Sequence, residues 1–226
     1  MSTVIVFDVN ETLLDLRSLD PIFAAAFGDA AVRREWFGQV LQSAMTVTLT
    51  GSYVDFAEVG AAALAMVADR RQVELTDEMR RAVGAGMRQL PPHPDVPAAL
   101  DRLREAGFRL ATLTNNPGPV VEAQLTNAGL RDYFERVLTV DEVRRFKPAP
   151  EPYRMAADQL GVPIDGMRLV AAHAWDVAGA MAAGAAAAFV ARPGMVLDPL
   201  APRPDIVGAD LSEVADRIVQ TDTSET

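Results

Sequence analysis

A short apolar run that ends at an acidic residue is the feature that most constrains the fold of this chain. The run is Val4–Phe7, which reads VIVF, and Asp8 follows it directly. A continuous apolar run of this length is typical of a strand buried on both faces of a parallel sheet. Such a strand would place the Asp8 carboxylate at the carboxyl edge of the sheet, where ligands of open parallel sheets bind.

From residue 96 onward, short apolar runs alternate with helical patterns. The patterns predict strands at 110–113, 137–140, 169–171, 188–190 and, more weakly, 205–207, and helices at 96–106, 120–128, 151–160 and 177–183. Each helical pattern is followed by a glycine, the residue that most often adopts the left-handed conformation that ends a helix. These are Gly107, Gly129, Gly161 and Gly184. The βαβα order predicts an α/β fold, a Rossmann-like doubly wound parallel sheet with right-handed crossovers.

Residues 15–90 interrupt this alternation. They show helical patterning without a buried strand, and they end at a proline-rich stop, residues 91–94. Because the first strand needs the sheet that follows it, we interpret 15–90 as an inserted helical cap of about four helices over the carboxyl edge of the sheet. Residues 1–14 and 91–226 then form the core. A separate amino-terminal helical domain is the alternative interpretation.

Composition and charge restrict the classes of function. The net charge of −10 repels phosphate backbones and anionic lipids, so neither nucleic acid nor a membrane is an expected partner, although a local site can still bind a small anion. The absence of cysteine excludes a disulfide framework and a thiolate nucleophile. The first residues do not read as a signal peptide, and the alanine-rich run near 182–191 is too short to span a bilayer. We therefore expect a cytoplasmic protein.

Polar side chains follow four of the predicted strands, at the edge where carboxyl ends of parallel strands meet. They are Asp8 and Thr12, Thr114 and Asn115, Lys147, and His173 and Asp176. A half-buried aspartate needs a positive partner to stay ionised, and Lys147 is the candidate. Asp8 can then act as a nucleophile that divides a difficult displacement into two steps through a covalent ester.

Each of these side chains also has a purely structural interpretation. Asp8 and Asp176 can be turn or helix-cap aspartates, as acidic residues near helix starts often are. Thr12 can hold the Asp8 rotamer or merely close the turn after the strand.

The remaining candidates are open in the same way. Thr114 and Asn115 lead into a helix start whose free N–H groups favour a phosphate or a carboxylate, but Asn115 can also be an ordinary cap. Lys147 lies in a basic stretch that can be a solvated loop, although its place after a strand favours a function. His173 can equally be a structural histidine.

Four motifs together resemble the haloacid dehalogenase superfamily, most closely the type II L-2-haloacid dehalogenases. They are Asp8-Val9-Asn10-Glu11-Thr12, Leu113-Thr114-Asn115, Lys147-Pro148 and Ala174-Trp175-Asp176. Their order and spacing follow the family along nearly the whole chain. The resemblance implies a hydrolase of carbon–halide bonds with a HAD-like core and a helical cap.

The resemblance also implies a mechanism. Asp8 would attack the halogen-bearing Cα of a short 2-haloalkanoic acid with inversion, and water would cleave the ester at the Asp8 carbonyl carbon, giving a 2-hydroxy acid and halide. Lys147, Asp176 and Thr12 would be the other catalytic residues, with Lys147 balancing charge and Asp176 helping to position the water. Substrate contacts are implied for Thr114, Asn115, Asn10, Phe37, Tyr153 and His173. No metal or other cofactor is implied, and a homodimer is an open expectation.

The main alternative is a Mg²⁺-dependent phosphatase of the same superfamily, acting on a small phosphate ester. Such phosphatases carry an acidic residue at the position of Asn10 and a metal-binding aspartate at the position of Ala172. Asn10 cannot donate a proton as an acid does, and Ala172 cannot bind a metal ion. A displacement at carbon needs neither, because halide leaves without protonation.

Two positions also depart from the dehalogenase pattern. Phe37 stands about where a halide-binding arginine is expected, with Arg33 or Arg34 as substitutes if the register differs by a turn. Residues 171–173 read AAH where the dehalogenases have serines and an asparagine. A HAD-like binding protein without turnover is therefore a further alternative.

Overall fold

A computed structural model describes residues 4–223 and confirms the predicted fold class. Its strands are β1 (Val4–Phe7), β2 (Arg109–Thr114), β3 (Arg136–Thr139), β4 (Met167–Ala171), β5 (Ala186–Val190) and β6 (Ile206–Gly208). Its α-helices are α1 (Asp20–Phe27), α2 (Val32–Leu49), α3 (Phe56–Arg70), α4 (Asp77–Met87), α5 (Val96–Glu105), α6 (Gly118–Asn127), α7 (Pro150–Leu160), α8 (Ala174–Ala183) and α9 (Leu211–Thr223). Short 3₁₀ turns lie at Leu16–Leu19, Arg131–Tyr133, Val140–Glu142 and Ile164–Gly166.

The differences from the sequence-based prediction are small and have local causes. β3 ends at Thr139 rather than Val140 because the Thr139 hydroxyl accepts a hydrogen bond from the Asp141 N–H and begins a 3₁₀ turn. α8 begins at Ala174, three residues earlier than expected. α9 has no counterpart in the prediction. The glycines expected at helix ends all have positive φ, and Gly184, at +104°, adopts a conformation that a side chain would strain.

The sheet is parallel throughout, in the order β3-β2-β1-β4-β5-β6. β1 lies at its centre, and Phe7 is opposite Thr112 of β2 and Val170 of β4. The chain runs outward from β1 in one direction, returns to β4 and continues in the other. The order of strands therefore reverses at β1, and the carboxyl edge beside β1 is where a ligand crevice is expected.

Helices cover both faces of the sheet. Val4 and Val6 pack with Tyr153 and other residues of α7 and α8, while Ile5 and Phe7 point to the opposite face. All four β1 side chains are fully buried, which explains the continuous apolar run. Among residues 4–223, no helix combines the length and the apolar character that crossing a membrane requires.

Along the chain, the four helices α1–α4 come between β1 and the other strands of the sheet. Where the chain enters and leaves this segment, it runs side by side: the Asp15 N–H donates to the Pro91 carbonyl at 2.8 Å, and the His93 N–H donates to the Leu13 carbonyl at 2.9 Å. Side chains of the segment, such as Trp36, share one apolar cluster with Phe7. Division into a 15–90 cap and a core stays a prediction.

Candidate active site

Asp8 lies one residue beyond the central strand. Its backbone N–H donates to the Val170 carbonyl of β4 at 3.0 Å, so the ladder of β1 and β4 continues through this residue. Only 7% of its side chain is exposed. The sheet therefore holds the Asp8 carboxylate in a fixed, largely dehydrated place at its carboxyl edge.

Lys147 is buried against this carboxylate. Its ammonium nitrogen lies 3.0 Å from Asp8 Oδ1 and 2.6 Å from Asp176 Oδ2, and it also donates to the Leu113 carbonyl at 2.9 Å. The lysine side chain is 0% exposed, and it is the single lysine of the sequence. All three ammonium protons are thus used inside the protein, two of them on carboxylates.

The charges of this cluster control its protonation. Burial favours the neutral form of Asp8, but the Lys147 charge and the hydrogen bonds from His173 and Thr12 outweigh burial and lower the pKa of Asp8. Burial lowers the pKa of Lys147, and Asp176 and Asp8 more than reverse this effect. Asp8 is therefore an anion beside a cation, the protonation state that a carboxylate nucleophile needs.

Asp176 supports Lys147 from the other side. Its second oxygen, Oδ1, accepts a hydrogen bond from the Tyr153 hydroxyl at 2.6 Å, and its side chain is 0% exposed. Burial raises the pKa of Asp176, and burial together with the Asp176 charge raises the pKa of Tyr153 well above its ordinary value. Tyr153 therefore keeps its hydroxyl proton and donates it in a hydrogen bond, so both carboxylate oxygens of Asp176 accept hydrogen bonds from the protein.

Thr12 adopts the first of its two predicted geometries. Its hydroxyl donates to Asp8 Oδ2 at 2.7 Å and accepts from the Ala172 N–H at 2.9 Å. One short side chain thus fixes the Asp8 rotamer and links it to the end of β4. The donor set around Asp8, an ammonium, a hydroxyl and an imidazole, does not fit Mg²⁺, which prefers oxygen ligands. Within residues 4–223, no group of three or more acidic or histidine side chains is arranged to hold a metal ion.

His173 contacts the same carboxylate. Its Nδ1 lies 3.2 Å from Asp8 Oδ2, and its Nε2 lies 2.9 Å from Glu11 Oε2. Burial lowers the pKa of His173, but the hydrogen bonds and charges of Asp8 and Glu11 outweigh it and raise the pKa to about 9. The ring is therefore an imidazolium at neutral pH that donates to both carboxylates. It also stacks on the Trp175 ring, with 5.1 Å between centroids.

Glu11 is a site residue that the sequence analysis did not single out. Its backbone has φ +62°, an unusual conformation for a residue with a side chain, and its other carboxylate oxygen lies 3.5 Å from Arg33. Arg33 is almost fully buried and is also bonded to Asp20 at 2.5 Å. The available signal was the position of Glu11 between Asp8 and Thr12 in the first motif.

A cavity of about 430 Å³ opens beside His173. Glu11, Arg33, Arg34, Phe37, His173 and Trp175 are among the residues that line it. Arg34 has no ion-pair partner in the described part of the chain, so it can meet an anion there. Asp8 itself does not line this cavity, but His173, whose ring contacts Asp8, does.

Besides Tyr153, which donates to Asp176 and does not line the large cavity, three other residues with predicted substrate contacts are hydrogen-bonded to protein groups. The Thr114 hydroxyl accepts from the Asn116 N–H at 3.1 Å, and Asn115 Oδ1 accepts from the Lys147 N–H at 3.0 Å. The Asn10 amide exchanges hydrogen bonds with Asn116 and accepts one from Gln124 at 3.2 Å. None of the three lines the 430 Å³ cavity, so their contacts with substrate stay predictions.

Phe37 is placed between two cavities. It lines the large cavity near His173, and it also lines a smaller one of about 130 Å³ that Trp36 and Asn116 help to form. Its ring centroid is 6.1 Å from that of His173. The structure thus has an aromatic ring at this point of α2, with the Arg33 and Arg34 side chains one turn earlier at the large cavity.

Comparison with known proteins gives one consistent family. Residues 3–184 match the haloacid dehalogenase-like hydrolases. The (S)-2-haloacid dehalogenase H-109 of Pseudomonas putida is 29% identical over 214 residues, covering 94% of this chain and 96% of the relative.

Solved structures agree with this match. The L-2-haloacid dehalogenase from Xanthobacter autotrophicus superposes with a TM-score of 0.91 at 28% identity, covering 98% of this chain and 99% of its own. A second structure of that enzyme, with chloropropionic acid covalently bound, has a TM-score of 0.90 at 28% identity and the same coverage.

Proposed function

This chain belongs to the haloacid dehalogenase-like hydrolases, and we propose that it hydrolyses the carbon–halogen bond of short 2-haloalkanoic acids through an ester on Asp8, without a metal ion or other cofactor. The observation that carries this proposal is the Asp8 carboxylate, which is buried, ionised and held by Lys147 and Thr12 at the carboxyl edge of the sheet. A nucleophile so arranged needs no further activation against a carbon that bears a good leaving group.

In the first step, an Asp8 oxygen attacks the Cα of the substrate from the side opposite the halogen. The new oxygen–carbon bond forms as the carbon–halogen bond breaks, and the halide leaves with the bonding electrons. No proton is transferred, so no general acid is needed. Lys147 keeps Asp8 ionised before the step, and its second partner, Asp176, holds the ammonium in place while the Asp8 charge disappears.

In the second step, water adds to the Asp8 carbonyl carbon. The tetrahedral intermediate collapses with cleavage of the bond between that carbon and the substrate oxygen, which releases the 2-hydroxy acid and restores Asp8. Lys147 donates to one Asp8 oxygen and Thr12 to the other, so negative charge on either oxygen of the intermediate is stabilised.

The relatives support this proposal at the level of reaction type. The Xanthobacter autotrophicus enzyme, whose fold this chain shares, is an L-2-haloacid dehalogenase that has been seen with chloropropionic acid covalently bound. Arg34, which lines the large cavity without an ion-pair partner among the described residues, favours an anionic small-molecule substrate. A cytoplasmic location and a homodimer stay predictions.

The phosphatase alternative lacks support from the donor set around Asp8. The Asn10 side chain is bonded to Asn116 and Gln124, and Ala172 offers no ligand for Mg²⁺. The binding-protein alternative rests on Phe37 in place of an arginine. Both alternatives are decided by the same assay.

The test measures halide release from chloroacetate and from each enantiomer of 2-chloropropionate, with and without EDTA, beside phosphate release from small phosphate esters with Mg²⁺. We expect halide release that EDTA does not change. During multiple turnovers in H₂¹⁸O, the peptide containing Asp8 should gain ¹⁸O. EDTA-sensitive phosphate release without halide would establish the phosphatase, and no turnover in either assay would favour the binding protein.

A further inference from the structure

His173 joins the nucleophile to a second carboxylate at the wall of the large cavity. One ring nitrogen contacts Asp8, the other contacts Glu11, and both His173 and Glu11 line the cavity. We propose that His173 is a second catalytic residue, the general base that takes a proton from the water attacking the Asp8 ester, and that Glu11 is its positioning residue. This inference rests on the function proposed above.

Asp176 is less well placed for the same task. Its two oxygens accept hydrogen bonds from Lys147 and Tyr153, its side chain is 0% exposed, and it does not line the large cavity. A water molecule that approached Asp176 would have to displace one of these buried partners. A water molecule in the cavity can instead reach His173, whose Nδ1 lies 3.2 Å from Asp8 Oδ2.

The charges around the His173 ring determine at which stage of the reaction it can act as a base. In the free protein the ring faces the Asp8 and Glu11 carboxylates, with Lys147 on the far side of Asp8 and Arg33 on the far side of Glu11. Forming the ester removes the Asp8 charge, and with it part of what raises the pKa of His173, while burial continues to lower that pKa. The ring then loses its proton through the cavity and becomes a base only once an ester is present.

His173 can both accept and return the proton that is transferred in the second step. Neutral His173 accepts a proton from water as the oxygen bonds to the Asp8 carbonyl carbon. It returns that proton to the substrate oxygen as the ester bond breaks, so the 2-hydroxy acid leaves neutral at its hydroxyl. The restored Asp8 carboxyl group loses its own proton to solvent, and His173 takes up a proton again beside the new carboxylate. Glu11 holds the ring in orientation throughout, as the third member of a catalytic triad does.

The experiment compares wild type, His173→Gln and Glu11→Gln with Glu105→Gln as the matched control. Glu105 is an exposed glutamate at the end of α5 and does not line the large cavity. With 2-chloropropionate, His173→Gln should release about one halide per protein in a burst and then turn over at least about 100-fold more slowly, the scale of a lost general base. Intact-protein mass spectrometry should show the accumulated ester on Asp8.

The controls separate catalysis from structure. Glu105→Gln should turn over within about two-fold of wild type and accumulate no ester. In Glu11→Gln the pH profile of ester hydrolysis should shift to lower pH, because the Glu11 charge helps to raise the pKa of His173. A merely structural role for Glu11 would lower the rate without moving that profile.

The outcomes distinguish this inference from the proposed function. A wild-type protein that releases no halide would remove the proposed function itself. If the wild type turns over, the role of His173 is overturned by either of two results: His173→Gln that hydrolyses the ester at the wild-type rate, or folded His173→Gln without a halide burst. The ester on Asp8 would survive both results.

Discussion

The ammonium nitrogen of Lys147 lies 3.0 Å from Asp8 Oδ1, although the two residues are 139 positions apart in the chain. This contact joins the end of the first strand to the loop after β3, and Asp176 shares the same ammonium. The cluster is nearly closed to solvent, so removing its central cation should affect both folding and reactivity.

We expect Lys147→Met to abolish measurable halide release and to lower the free energy of unfolding by about 3–5 kcal/mol, the usual cost of leaving a buried charge without its partner. The Asp8 and Asp176 carboxylates would otherwise face each other without a cation. Urea unfolding measures the stability. Arg136→Met, an exposed arginine on β3, is the control and should change stability by less than about 0.5 kcal/mol. Equal stability of both variants would contradict the buried network.

The same lysine gives a test of burial in the native protein. Because Lys147 is the single lysine and its side chain is 0% exposed, an amine-reactive reagent should leave the lysine-containing peptide unmodified until the protein is unfolded. Mass spectrometry of peptides from native and urea-unfolded protein measures this difference. Rapid native labelling would show that the ammonium is accessible.

Asp8→Asn should reduce halide release by at least about 10³-fold, because an amide cannot form the ester. Lys147 would keep Asp176 as its anionic partner, so the variant should stay folded. Asp158→Asn, an exposed aspartate on α7, is the matched control and should retain full activity. Turnover of Asp8→Asn near the wild-type rate would exclude Asp8 as the nucleophile.

Because of His173, the free energy of unfolding should decrease as the pH rises into the alkaline range. Its pKa rises from 6.5 to about 9 on folding, so its stabilising effect is complete below pH about 6.5 and is lost as pH rises through about 9. The full effect is on the order of 3 kcal/mol. Thermal unfolding of wild type and His173→Gln between pH 6 and 10 should therefore show a difference in Tm that shrinks with pH. A constant difference would mean that His173 is neutral in the folded protein.

Gly179→Ala should damage the site through packing alone. An added Cβ would lie 2.5 Å from the Pro148 Cβ and 2.6 Å from the Tyr153 hydroxyl, so both neighbours of the Lys147 cluster would have to move. We expect a loss of about 1–3 kcal/mol and reduced turnover. Gly84→Ala is the control, because nothing lies within 4 Å of its added Cβ. In a helix this change should stabilise by about 0.5–1 kcal/mol.

The residues at strand ends were the part of the site that sequence could predict. Asp8, Lys147 and Asp176 each follow a buried strand or begin the next helix, and a parallel sheet brings such positions to one edge whatever the loops do. Charge favours the contact of Lys147 with the two carboxylates once the sheet has brought them together. The contact of Thr12 with Asp8 was one of two open choices, and only the loop conformation decides between them.

Residues whose place depends on side-chain direction were not predictable in this way. Glu11 reaches His173 because its backbone adopts positive φ, which no pattern around it indicates. Asn10 and Thr114 bond to neighbouring loops instead of the large cavity, a choice made by tertiary packing. α9 was missed although the sequence carries a signal for its start: the Asp210 carboxylate accepts from the Glu213 N–H, and the Glu213 carboxylate accepts from the Ala209 N–H.

The adjacent segments 13–15 and 91–93, which are joined by backbone hydrogen bonds, affect how such a protein can change in evolution. Two points of the chain that lie side by side accept a loop or helix pair of almost any length between them, because closing a longer loop costs little extra free energy. The intervening helices can therefore be lengthened or exchanged while Asp8, directly after β1, keeps its place at the carboxyl edge of the sheet.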